Sequence, residues 1–61
     1  MSPALSRELA DLMTLGQATP VERQALIDAS AGSDIKTVGD MSAKARGIVA
    51  DLRVRKEENR P

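Results

Sequence analysis

The side chains in this sequence that could do acid–base or covalent chemistry are serine, threonine, aspartate, glutamate and lysine, because its 61 residues include no histidine, cysteine or tyrosine. The commonest general acids, bases and activated nucleophiles are therefore missing. The carboxylates and hydroxyls that remain fall where helix caps, turns and solvated faces need them. The chain reads as non-enzymatic, with no catalytic, cofactor-binding or metal-binding residue expected. Zinc would lack its soft ligands, and the acidic residues do not alternate as in a calcium loop. Gly16, Gly32, Gly39 and Gly47 stand apart and build no phosphate-binding loop. A unit this small is also expected to lack a pocket of roughly 300–1,000 Å³, so no small-molecule substrate is expected.

One basic cluster, Arg53, Arg55 and Lys56, could contact phosphate, but Glu57 and Glu58 follow it directly. Gln24 to Met41 resembles a helix-turn-helix loosely, with a turn at Gly32 and apolar Ile35 and Val38 beyond it. Asp28 stands where a small residue is wanted. The would-be recognition segment, Ser33 to Asp40, carries two aspartates against one lysine, which suits phosphate poorly. Weak DNA binding is thus a lesser alternative, and nucleic acid is not the expected partner. No stretch approaches the roughly 20 apolar residues of a membrane span. Nor does any helix carry the Trp or Phe anchors of a membrane-surface helix. Without a visible secretory signal, the cytoplasm is the default compartment.

The elements that must position these residues read as an all-α domain, with two short helices followed by a longer C-terminal one. Ser2-Pro3 caps and opens the first helix, about 3–15. Leu5, Leu9, Leu12 and Met13 recur at helical spacing on one stripe, and Gly16 is expected to end the helix in a left-handed cap. Thr19-Pro20-Val21-Glu22 forms a capping box that opens the second helix, about 20–30. Val21, Ala25, Leu26 and Ala29 are expected to share its inner face, while Ile27 points away. Ser33-Asp34 can cap a short turn, and Thr37-Val38-Gly39-Asp40 is capping-box-like. The third helix is expected from about 38 to 56, with a frayed tail at 57–61 ending in Pro61. A break near Gly39 would split off a one-turn helix at 34–38.

The third helix has two apolar sides. Ile35, Val38, Met41, Ala45, Ile48 and Leu52 repeat at spacings of three and four, as in a coiled-coil seam flanked by Val49. Opposite lie Ala43, Gly47, Ala50 and Val54, small enough to admit another backbone closely. A helix that is apolar on two sides is often packed on two sides.

Composition points the same way. Of the 25 hydrophobic residues nine are alanine, and no Phe, Tyr or Trp is present. Small domains are marginal at best, and aromatic anchors usually dominate their cores. Self-association or a partner is the expected remedy. The charges divide as well: residues 1–34 carry two basic and five acidic groups, and residues 35–61 carry seven basic and four acidic groups. That asymmetry can steer an antiparallel or head-to-tail contact. The expected function is a helical protein–protein interaction module, either a small regulator or adaptor or a homo-oligomer. Its expected surface is the seam together with Leu5, Leu9 and Leu12. A structural component of a larger assembly, such as a phage particle, is the alternative.

Overall fold

The structure is a computed structural model, and it describes residues 2–32 and 34–60. Ser33, read above as part of a turn cap, and Pro61, at the end of the tail, lie outside the described residues. The fold is all-α: α1 (Pro3–Leu15), α2 (Pro20–Ser30), a single 3-10 turn (Val38–Asp40) and α3 (Ala43–Glu58). No strand occurs among the described residues.

The first two helices start and stop where their signals predict. The Ser2 hydroxyl accepts from the Leu5 amide at 3.2 Å. At α2 the box is reciprocal: the Glu22 amide donates to the Thr19 hydroxyl at 3.2 Å, and the Thr19 amide donates to the Glu22 carboxylate at 3.0 Å. Two amides without an intrahelical acceptor are thus satisfied at once. Thr19→Ala is expected to destabilise the domain by about 0.5–2 kcal/mol, and Thr19→Gly by only a few tenths. Equal losses from the two variants in urea unfolding would count against the capping account.

The third helix starts later than its sequence pattern suggests. Val38–Asp40 forms the 3-10 turn, Met41 and Ser42 are extended, and the Ser42 hydroxyl caps α3 by accepting from the Ala45 amide at 3.3 Å. The short helix therefore lies at 38–40 rather than 34–38. The Asp40 carboxylate holds that turn by accepting from the Lys36 and Thr37 amides and the Thr37 hydroxyl. These bonds, first Lys36 and then Thr37, hold its pKa below the usual aspartate value. The recognition helix that a helix-turn-helix needs after Gly32 is not formed, since 34–42 holds only this three-residue turn among its described residues. At the other end α3 runs on to Glu58. The tail expected to fray is tied down at Asn59, whose side chain donates to the Leu15 carbonyl of α1 at 3.1 Å.

The core is a single cluster of Leu5, Leu9, Leu12, Leu26, Met41, Ala45, Val49 and Leu52, with Met13, Ala18, Ala29, Ile35, Val38 and Ile48 packed against it. Both α1 and α2 pack on α3, and they touch one another little. Glu8 pairs with Arg53, Asp11 with Lys56, and the Leu15 carbonyl with Asn59. These pairs, with Gly16 against the Leu52 carbonyl, seat α1 along the C-terminal half of α3. On α2, Glu22 at its start meets Arg55 near the end of α3.

Two local expectations are corrected. Gly16 is not left-handed: its φ is −80°, and the positive φ falls on Gln17, at 55°. Val21 is 77% exposed, and the inward place in that turn goes to half-buried Glu22 beside buried Leu26. A residue step of about 100° leaves Val21 at the edge of the buried face, where the carboxylate next to it has a cation to reach.

Candidate interaction surface

The seam residues are occupied within the chain. Leu5, Leu9, Leu12, Met41, Ala45 and Leu52 are buried, and Ile35, Val38 and Ile48 are half-buried against them. They form the domain's own core. Only Ala45, Ile48 and Leu52 of that row lie on α3. The helix buries Ala45, Val49 and Leu52, so Val49, read as a flank, belongs at the centre. Ile35, Val38 and Met41 join the core from the segment before the helix.

The basic cluster is also engaged. Arg53 pairs with Glu8, Lys56 with Asp11, and Arg55 with both Glu22 and Asp51. The acidic first half and basic second half therefore meet inside one molecule. Most of these pairs are exposed and contribute little. Arg55–Glu22 is better built. Two guanidinium nitrogens donate to the two carboxylate oxygens at 3.0 and 2.7 Å, and the Glu22 side chain is only 16% exposed.

The Arg55 guanidinium, followed by the Thr19 amide, holds Glu22 at a pKa of about 2 against its ordinary 4.5. A depressed carboxylate pKa stabilises the fold above the unfolded value, and that contribution is lost as pH falls through the folded value. Stability is thus expected to decline between about pH 4.5 and about pH 2. Glu22→Gln should lower stability at neutral pH and flatten that decline. An acid titration of the wild type and the variant with identical slopes in this window would refute the assignment.

A surface groove of about 400 Å³ lies between the start of α1 and residues 36–39, lined by Ser2, Leu5, Glu8, Lys36, Thr37, Val38 and Arg53 among others. It is larger than a chain of this size was expected to hold, but most of its polar groups are taken. Ser2 caps α1, Glu8 pairs with Arg53, and Thr37 bonds Asp40. No polar side chain is buried and no group of metal-ligating side chains converges among the described residues.

What α3 leaves outside is the opposite face. Ala43, Gly47, Ala50 and Val54 are all exposed, Val54 to 57%. A β-carbon placed on Gly47 would meet nothing within 4 Å. This strip runs the length of the helix that forms the centre of the fold. Lys44, Arg46, Glu57 and Glu58, all exposed, stand beside it, basic near the start of α3 and acidic at its end.

The class defined by these features is a three-helix all-α domain, with an aliphatic core and an exposed outer face on α3. No helix among the described residues is long and apolar enough to cross a membrane. Compared with known protein families, curated proteins and solved structures, the chain matches none.

Proposed function

We propose that this chain is a non-enzymatic helical protein–protein interaction module that binds through the outer face of α3. The observation that carries the reading is the exposure of Ala43, Gly47, Ala50 and Val54 together on the helix whose other side is consumed by the core. A central helix is held rigid by two neighbours, so its free side is presented without an ordering cost at binding. Small residues on that side let a second helix approach closely, which fits helix-on-helix recognition. The side-chain inventory, with no histidine, cysteine or tyrosine, supports the non-enzymatic part.

The test is to follow amide resonances of the isotope-labelled chain, first on concentrating it and then on adding extract of the cells that make it. Shifts or broadening at Ala43, Gly47, Ala50 and Val54, with Leu9 and Leu26 unmoved, are expected in at least one condition. Changes confined to the 36–39 groove, or none in either condition, would overturn the reading.

A further inference from the structure

We infer that the partner on this face is a second copy of the chain, packed antiparallel along α3 about a two-fold axis near Ala50. The inference rests on the outer-face reading above and names its occupant. It begins from charges that the fold leaves unused. Among the described residues, Lys44, Arg46 and Glu58 have no ionic partner, and Glu57 meets only Arg60, at 3.9 Å. The cations between them, Arg53, Arg55 and Lys56, are held by Glu8, Glu22, Asp51 and Asp11. The outer side of α3 is therefore basic at its start and acidic at its end.

Helical geometry sorts these groups onto two flanks of the bare strip. At about 100° per residue, Lys44 and Glu58 fall on one side of it and Arg46 and Glu57 on the other. A two-fold axis normal to the helix brings each flank against the same flank of its copy, reversed in direction. Seating Val54 over the open space at the partner's Gly47 fixes the register. The same register brings Lys44 within one residue step, about 1.5 Å, of the partner's Glu58, and Arg46 within two, about 3 Å, of the partner's Glu57. Shape and charge thus select one alignment, with each contact made twice. A parallel alignment would set Lys44 against the partner's Arg46, and the helix dipoles against each other as well. Asp51 and Arg53 come near the axis, but each is already neutralised by its own chain, through Arg55 and Glu8.

Sedimentation equilibrium of the intact chain from about 10 µM to about 1 mM is expected to show reversible growth from 6.5 kDa to twice that mass. Lys44→Glu with Arg46→Glu should weaken association at least about tenfold. Adding Glu57→Lys and Glu58→Lys to the same chain should restore it. Both exchanges suit the helix dipole, so the fold should survive them. Gly47→Leu meets nothing in the isolated chain and should remove association while leaving the monomer folded. The chain has no cysteine, so a mixture of Gly47→Cys and Val54→Cys chains should form the mixed disulfide in preference to either symmetric one in air.

A monomer at every concentration overturns the second copy. A dimer indifferent to charge reversal, or one that cross-links like to like, overturns the antiparallel packing along α3. If the wild type stays monomeric while extract still perturbs Ala43, Gly47, Ala50 and Val54, the occupant is wrong and the outer-face reading stands.

Discussion

Leu52→Ala is expected to destabilise the domain by about 2–5 kcal/mol, much of the stability that a small domain possesses. Leu52 is 0% exposed and stands on α3, the helix on which both others pack. Its neighbours are aliphatic, without an aromatic ring broad enough to lean into the space that alanine would leave. The loss should appear in urea or thermal unfolding. Ile27→Ala is the matched control: Ile27 is 48% exposed on the outer side of α2, and its loss should stay within about 0.5 kcal/mol. Equal melting of the two variants would mean that Leu52 is not central.

The second large effect is expected at Gly16, with a sign that conformation alone would not give. At φ −80° glycine has no special freedom to supply, and Gly→Ala in an ordinary conformation usually stabilises by about 0.4–1 kcal/mol. Here a β-carbon would stand 2.5 Å from the Leu12 carbonyl oxygen, 2.9 Å from that of Leu52, and 3.1 Å from a Leu52 methyl. Backbone cannot yield as a side chain can, so Gly16→Ala is expected to destabilise by about 1–3 kcal/mol. Gln17→Gly should act in the opposite direction, because Gln17 carries the positive φ. Gly16→Ala melting above the wild type would show that α1 and α3 are not this close.

The contrast at Gly16 shows what could and could not be read from the sequence. That a glycine ends α1 is a local property, and so are the starts of α1 and α2, where Ser2 and Thr19 have proline behind them. Which need the glycine meets is only partly local, since its β-carbon would meet the Leu12 carbonyl of its own helix and also the Leu52 carbonyl 36 residues later. The start of α3 was obscured for a related reason. Met41 is as buried as a helical seam residue would be, so the three-and-four spacing runs unbroken through an extended segment. Ser42 lacks a Glu or Gln three residues on to announce it. The bare face of α3 could be read as a row of small residues. Its exposure could not, because an apolar row gives no sign of whether its own chain will cover it. The internal pairing of acidic and basic halves was likewise invisible until α1 and α3 lay side by side.

The central position of α3 also bears on how the chain becomes ordered during synthesis. With α1 and α2 touching little, residues 2–32 and 34–42 lack the surface on which both helices pack. Helices of 13 and 11 residues are marginal by themselves in water. A ribosome that has released only this portion therefore exposes a fluctuating, leucine-striped polypeptide. The sixteen residues of α3 give both segments a common surface on which to dock.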